Sequence, residues 1–232
     1  MKTVAWRKLF SGTAVTMATV LLLASGCQTP LPTRGTKTSG FLKDYSQLKP
    51  GGSGRAKLVY TDSAADFAKY DKIIVDPVTV WVKGDSRLAK LPQKDVTALV
   101  TYLDATVRAS LKQDYQIVDR PAAGVMRLRI AITDGKKANV ALNTLSSVVP
   151  VGLALDLLKL AATGTHASVG EASVEAELTD AVTGQRLLAA VDARAGRKVI
   201  ASGNFTAWGD VKDAYDYWAK KLQQRLTELR KR

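Results

Sequence analysis

The fold of this chain is decided by the stretch 125-VMRLRIAIT-133, in which large apolar side chains alternate with arginines. Successive side chains of a β-strand point to opposite faces of a sheet, so the pattern predicts a strand with one buried and one solvated face. Arg127 and Arg129 are expected to face water. The side chains expected to face the core are Met126, Leu128, Ile130 and Ile132.

Two further segments alternate in the same way and extend the predicted sheet. Glu171–Thr179 places Glu175 and Glu177 on its polar face, where they could pair with arginines across the strands. The turn signal Asp180–Gly184 joins it to Gln185–Ala195, whose polar face carries Arg186 and Arg194. The apolar faces are expected to be Ala172, Val174, Ala176 and Leu178 in the first segment, and Leu187, Ala189, Val191, Ala193 and Ala195 in the second.

Helical periodicity occurs twice, with apolar residues three and four positions apart. The first helix is predicted over Gln93–Lys112, and the second begins at a capping Asp210. Its stripe is Val211, Tyr215, Trp218, Leu222, Leu226 and Leu229. Lys72–Val82 is predicted to be a strand that Pro77 confines to an edge or a bulge, and Tyr115–Asp119 a short strand. The fold class is therefore α+β: a two-layer, mostly antiparallel sheet with helices packed on one face.

The N-terminus has the features of a signal peptide, since residues 1–26 combine a positively charged start with a short apolar run. The tail 23-LASGC-27 resembles the lipobox of bacterial lipoproteins, which implies cleavage before Cys27 and acylation of its thiol. Gln28 then resembles an outer-membrane sorting signal. The alternatives are an ordinary signal peptide cut near Ala24, and a retained transmembrane helix, for which the apolar run is short.

Residues 27–56 are expected to form the lipidated cysteine and a flexible tether, because Thr, Pro, Gly, Ser and Lys dominate them. Within this stretch, Gly40–Leu48 contains four large apolar residues and is expected to dock on the folded part. Residues 57–232 show no internal repeat and have the length of a single α+β domain.

Composition excludes several classes of protein. The chain has 232 residues, 46% of them apolar and 24% charged, which is typical of a globular protein. One cysteine and one histidine exclude a disulfide framework, a Cys-rich zinc site and a histidine cluster, so neither a metal nor a cofactor is expected. His166 lies in a polar loop and is interpreted as a surface or packing residue rather than a catalytic base.

The formal net charge is +13, so any partner that this charge attracts would be anionic. A lipoprotein outside the cytoplasm does not normally meet nucleic acid, so no nucleic-acid partner is expected. The available anions are lipid headgroups, lipopolysaccharide and the carboxylates of peptidoglycan. Alternatively, the charge only aids solubility.

The segment Val140–Ala162 is unusually apolar, and Asp156 and Lys159 are its only charged residues between Leu142 and Leu160. Pro150 and the two charges argue against a transmembrane span. One interpretation is a third core helix. The other is an apolar surface that docks on an envelope protein, a second copy or lipid. The residues that would form this surface are Leu145, Val149, Leu153, Leu157 and Leu160.

Several short blocks, in the same order, resemble a family of uncharacterised bacterial lipoproteins catalogued as domain of unknown function 3313. The blocks are Ser39–Leu42, Asp44–Ser46, Leu48, Pro50–Gly51, Gly170–Glu171, Asp180, Thr183–Gly184, Trp208–Asp210 and Trp218–Ala219. The resemblance covers residues 39–229. It implies a location and a layout but no activity.

These features together predict a lipid-anchored lipoprotein that faces the periplasm from the outer membrane. We expect a non-catalytic binding or assembly module of the cell envelope, held by outer-membrane lipid through acylated Cys27. Its partner would be an envelope protein, peptidoglycan or a second copy of the chain. The alternative is an enzyme, such as a hydrolase of envelope polymers, which would require a pocket containing perturbed acids or a nucleophile–base pair.

Replacing the lipid-accepting thiol tests the anchoring hypothesis. Cys27→Ser is expected to leave an unlipidated precursor and to release the protein from the outer membrane, because no other anchor is evident in the mature sequence. Gel mobility and density-gradient fractionation of cell membranes measure both effects. Normal processing of the variant, together with flotation in the outer-membrane fraction, would contradict the hypothesis.

Overall fold

The computed structural model describes residues 29–33, 37–82, 86–139, 159, 169–196 and 206–232. In these ranges a nine-stranded sheet packs against two α-helices, α1 (Gln93–Leu111) and α2 (Gly209–Arg230). The strands are β1 (Leu31–Pro32), β2 (Lys49–Pro50), β3 (Leu58–Thr61), β4 (Lys72–Val75), β5 (Thr79–Val80), β6 (Gln116–Ile117), β7 (Val125–Lys136), β8 (Glu171–Asp180) and β9 (Arg186–Ala195).

The sheet is mixed, with the order β2-β3-β9-β8-β7-β4-β6. Its centre is the antiparallel trio β7, β8 and β9, while β4 pairs in parallel with β6 and β7. Two short strands complete it, with β1 paired to β9 and β5 to β7. The predicted α+β class is confirmed, because both helices cover the same face of this sheet.

The main core lies between the helices and the sheet, where the predicted inward side chains of β7 are found. Leu128 and Leu178 are cross-strand partners and are each 1% exposed. α1 contributes a buried stripe at every fourth position, since one face of a helix repeats at that spacing. The stripe consists of Leu99, Leu103, Val107 and Leu111.

The start of α2 differs from the prediction. Trp208 occupies the capping position without a side-chain hydrogen bond, and Asp210 lies in the first turn. The Asp210 carboxylate accepts a hydrogen bond of 2.6 Å from the Gly170 N–H, just before β8. A Cβ atom added at Gly196 would collide with Cγ of Asp210, and one added at Gly170 would lie 3.0 Å from the Asp210 Cβ. Asp210 therefore fastens the helix to the sheet rather than capping it.

The predicted strand Lys72–Val82 is two strands, β4 and β5, both paired with β7. The interruption falls at Asp76–Val78, where Pro77 cannot donate a backbone hydrogen bond. β6 covers only Lys72 and Ile73 of β4, so among the described residues the stretch around Pro77 and β5 pairs with β7 alone and lies at an edge of the sheet, as predicted.

The predicted faces of β9 are wrong beyond its first residues. Leu178 pairs with Leu188 but Thr179 pairs with Arg186, so Leu187 is one extra residue in β9. A shift of one residue exchanges the two faces of a strand. Ala189 and Val191 therefore lie on the face opposite the helices.

The face opposite the helices is only partly solvated, because residues 39–48 pack across part of it. Phe41 and Leu42 are buried there with Ala131, Ala189 and Val191, forming a second core. Docking of Gly40–Leu48 is thus confirmed. The predicted exposure of Glu175 and Glu177 is wrong, since these side chains lie beneath the docked segment and are 0% and 9% exposed.

Hydrogen bonds compensate for the burial of Glu175. Its carboxylate accepts from the Ser39 N–H at 2.6 Å and from the Tyr45 hydroxyl at 2.5 Å. The same hydroxyl accepts from the Gly40 N–H at 2.7 Å. Burial and the adjacent Glu175 raise the pKa of Tyr45, which keeps the hydroxyl protonated as the donor.

Glu177 is held by two guanidinium groups, Arg129 at 2.5 Å and Arg186 at 2.8 Å. Arg186 also donates to the Leu42 carbonyl at 3.1 Å, so the ion pair extends into the docked segment. The predicted pairing of arginines with these glutamates is therefore present for Arg129 and Arg186. Arg127 pairs with Asp76 instead.

The predicted boundary between tether and domain at residue 57 needs correction. Strand β1 pairs with β9 and β2 with β3, so parts of residues 27–56 belong to the sheet. The composition of this stretch is typical of a linker, but its backbone finds partners along open strand edges.

Paired substitutions on β7 test which face is buried. Leu128→Asp is expected to unfold the protein, because a carboxylate would replace a fully buried side chain at a cost of at least about 3–5 kcal/mol. Arg127→Gln should cost well under about 1 kcal/mol, since its ion pair is partly exposed. Thermal and urea unfolding measure both, and equal stability of Leu128→Asp and wild type would show that the faces are reversed.

Removing a single hydroxyl tests the docking of residues 39–48. Tyr45→Phe leaves the buried Glu175 short of a donor and should lower the free energy of unfolding by about 1–3 kcal/mol. Tyr60→Phe is the matched control, because Tyr60 also packs against the second core and its hydroxyl has no partner among the described residues. Equal effects of the two variants in urea unfolding would argue against the contact.

Candidate functional site

The site residues predicted from the sequence lie outside the described residues. This holds for Cys27 and Gln28, for His166, and for the apolar set Leu145, Val149, Leu153, Leu157 and Leu160. The candidate site that the structure does show is a cavity on the helix face of the sheet.

The cavity has a volume of about 450 Å³ and lies between α2 and the strands β3, β8 and β9. Small-molecule sites commonly have volumes of ~300–1,000 Å³. The described residues that bound its interior are mainly aliphatic. Representative ones are Ile130, Val174, Ala176, Leu188, Ala190 and Leu222.

Small side chains in the middle of the sheet create this space. Ile130, Ala176, Ala190 and Val59 follow one another across the strands β7, β8, β9 and β3. The row has larger side chains at its two ends and alanines in its centre, which leaves a depression in the sheet surface under α2. Because Ala176 and Ala190 carry only a methyl group, the helix above them cannot fill the depression.

The mouth of the cavity is charged. The loop Ser53–Ala56 borders one side, and Lys221, Arg225 and Glu228 of α2 border the other. Arg225 pairs with Glu228 at 3.3 Å. Burial, and after it the positive charge of Arg55, lower the pKa of Arg225, so the two guanidinium groups share one positive region.

Asp192 closes one end of the cavity as part of a buried hydrogen-bonded cluster. Its carboxylate accepts from Arg194 Nε at 2.7 Å, from Trp218 Nε1 at 2.8 Å and from the Lys57 N–H at 3.2 Å. Asp192 and Arg194 are 2% and 4% exposed. The face reversal of β9 places both residues under α2, whereas the alternation had predicted them on the opposite face.

Arg194 joins this cluster to the N-terminal segment. Its guanidinium donates to the Pro30 carbonyl at 3.3 Å and to the Arg55 carbonyl at 3.0 Å, and it stacks on the Tyr217 ring at 4.5 Å. One buried cation thus connects strand β1, the loop at the cavity mouth and helix α2.

The carboxylates and the lysine with strongly shifted pKa values, Glu171, Asp180 and Lys136, lie outside the cavity. Burial opposes ionisation of Glu171, but a hydrogen bond from Lys159 and the charge of Arg87 lower the pKa of Glu171 to about 2. Burial, followed by Lys159, lowers the pKa of Lys136 to about 8. Neither Glu171 nor Lys136 borders the cavity.

Sequence reasoning did not find the cavity, although it placed Ala176 correctly on the helix face. The available signal was the pair Leu187–Leu188, because adjacent apolar residues interrupt strict alternation. If one residue of that pair is taken as an insertion in β9, the alternation after it predicts Asp192 on the face of the sheet that the helices cover.

Among the described residues, neither α1 nor α2 is apolar enough over its length to cross a membrane. The same residues include no group of three or more His, Cys, Asp or Glu side chains arranged to hold a metal ion.

Known proteins resemble this chain in sequence and in fold. It is 27% identical over 198 residues to the Uncharacterized lipoprotein YdcL of Escherichia coli (strain K12), which covers 84% of this chain and 87% of the relative. Among solved structures, the PelC dodecamer from Paraburkholderia phytofirmans matches with a TM-score of 0.36 and 18% identity, over 71% of this chain and 96% of that one. A Minor Lipoprotein from Acinetobacter baumannii matches with a TM-score of 0.31 and 10% identity, over 68% and 94% of the two chains.

The family described as Protein of unknown function (DUF3313) has a sequence model that matches residues 37–222. This range contains most of the sheet, all of α1, α2 as far as Leu222, and all the blocks on which the resemblance rested. The predicted relationship is thereby confirmed, and the match to YdcL supports a lipoprotein of unknown function. The chain belongs to the DUF3313 family.

Proposed function

We propose that this protein is a lipid-anchored, non-catalytic binding module of the cell envelope, whose binding site is the cavity between α2 and the sheet. The observation that carries the proposal is the aliphatic interior of about 450 Å³ beneath a charged mouth. Such a site suits a ligand with an apolar body and a polar end.

The aliphatic interior can contribute a large favourable term to the binding free energy of an apolar ligand. Each methylene group moved from water to an apolar environment contributes about 0.8 kcal/mol, so eight would contribute ~6 kcal/mol before the cost of association. The walls are preformed, because the sheet strands and α2 hold them in place. Little of the binding energy would be lost in ordering the site.

Anchoring through Cys27 would place this site at the membrane. The signal-like N-terminus, the lipobox-like tail and the lipoprotein relative support this part of the proposal. Gln28 favours the outer membrane, with the domain facing the periplasm. Several acyl chains on one residue would anchor lastingly, since two signals are enough for stable attachment.

The residues of the cavity interior fit a binding function better than the activity of an envelope-polymer hydrolase. An enzyme would concentrate perturbed acids or a nucleophile and base in its pocket. Among the carboxylates of the residues that border this cavity, Asp192 lies on the helix face and is engaged by Arg194 and Trp218. Glu228 pairs with Arg225 at the mouth, and the Glu177 side chain lies on the opposite face of the sheet. The carboxylates and the lysine with strongly shifted pKa values, Glu171, Asp180 and Lys136, do not border the cavity.

The apolar segment around Leu153 is proposed as a separate contact for an envelope protein, peptidoglycan or a second copy. It lies outside the described residues, so this part of the proposal rests on the sequence.

A neutral photoactivatable probe tests the cavity as a binding site. The full lipidated chain in lipid nanodiscs is photolysed with a diazirine-bearing hexadecanol, and labelled peptides are mapped by mass spectrometry. We expect labels on β9 and α2 at the cavity walls. Ala190→Phe should lower this labelling about tenfold, because the ring would fill the space above the alanine row.

Ala98→Phe is the matched control, since Ala98 is exposed on α1. This variant should be labelled like the wild type. Equal labelling of the Ala190→Phe and Ala98→Phe proteins, or no label at the cavity walls, would contradict the proposal.

A further inference from the structure

The N-terminal segment is fixed to the domain very close to the proposed lipid anchor. Leu31 and Pro32 pair with Ala195 and Arg194 of β9, and the Pro30 carbonyl accepts from Arg194. Two residues, Gln28 and Thr29, lie between Cys27 and Pro30, and each of the three steps along an extended chain spans at most about 3.3–3.6 Å. Chain length alone therefore limits the reach from Pro30 to the proposed lipid anchor to about 11 Å.

The same corner of the domain carries the mouth of the cavity. Arg194 binds both the Pro30 carbonyl and the Arg55 carbonyl. Arg55 borders the mouth, and Asp192, the ion-pair partner of Arg194, closes one end of the cavity. A chain anchored at Cys27 would thus hold this mouth at the membrane surface.

The mouth has more positive than negative charge available to a ligand. Arg225 is paired with Glu228, but Arg55 and Lys221 have no carboxylate partner among the described residues. Lys221 lies over the Tyr217 ring at 5.8 Å, and both cations are exposed. Cations at a membrane surface attract anionic headgroups.

We infer that the cavity receives an acyl chain of an anionic phospholipid from the membrane in which Cys27 is anchored, with the headgroup phosphate at Arg55 and Lys221. The inference rests on the proposed function, because it names the ligand of the same cavity. The aliphatic walls would contact the chain, and the cations at the mouth would select the headgroup. The closeness of Pro30 to the mouth brings the membrane and the cavity together.

The test uses the full lipidated chain in nanodiscs that contain one of three probes. The probes are phosphatidylglycerol and phosphatidylcholine with a diazirine at the end of an acyl chain, and a free diazirine fatty acid. Phosphatidylglycerol is expected to label the cavity walls about tenfold more than phosphatidylcholine. Equal labelling by the two phospholipids, or labelling by the free fatty acid alone, would overturn the inference.

Reversing the charges at the cavity mouth tests whether its cations select the lipid headgroup, as distinct from binding of any apolar chain. The double variant Arg55→Glu, Lys221→Glu should reduce labelling by phosphatidylglycerol about tenfold more than it reduces labelling by the neutral hexadecanol. The control Lys112→Glu, Lys231→Glu changes the net charge equally at exposed positions that do not border the cavity, and should behave as wild type. If both double variants lose labelling equally, selection by the mouth is excluded.

The outcomes distinguish this inference from the proposed function. Labelling of the cavity by hexadecanol without labelling by phosphatidylglycerol would overturn the phospholipid assignment alone. Absence of labelling by every probe would overturn both.

Discussion

One extra residue in β9, Leu187, determines on which face of the sheet each of the following side chains of that strand lies. Because Leu187 has no partner in β8, the strand continues with its faces exchanged. Ala189 and Val191 then support the docked N-terminal segment, while Asp192 and Arg194 lie beneath α2. The second core, the closed end of the cavity and the attachment of β1 all depend on this offset.

Buried charged side chains on each face of the sheet attach other segments of the chain to it. Glu175 and Glu177 hold the docked segment on one face, and Asp192 and Arg194 hold α2 and the N-terminal strand on the other. An ionised group is costly to bury unless its hydrogen-bonding capacity is used. Each of these groups has two or more partners, so each ties elements distant in sequence to the central strands.

The sequence predicted the parts of this fold that obey a single period. The alternation in β8 and in β7 as far as Ile132, before the register shift of that strand, was sufficient, and so was the helical periodicity of α1 and α2, because each of these stretches keeps one face buried. Alternation could not predict the faces of β9, since an inserted residue changes them without changing composition. It also missed the pairing of Leu31–Pro32, because a two-residue strand has no period, and the cavity, because Ala176 counts as apolar whether or not anything fills the space above it.

The contact between Asp210 and the glycines beside β8 and β9 has a consequence for how sequences of this family can vary. Two blocks that are far apart in the chain, Gly170–Glu171 and Trp208–Asp210, meet at one carboxylate. A side chain at Gly196 has no room while Asp210 keeps its position, and one at Gly170 would crowd the same residue. A lineage that loses either glycine must therefore also move or replace the aspartate, so these positions should be exchanged together or not at all.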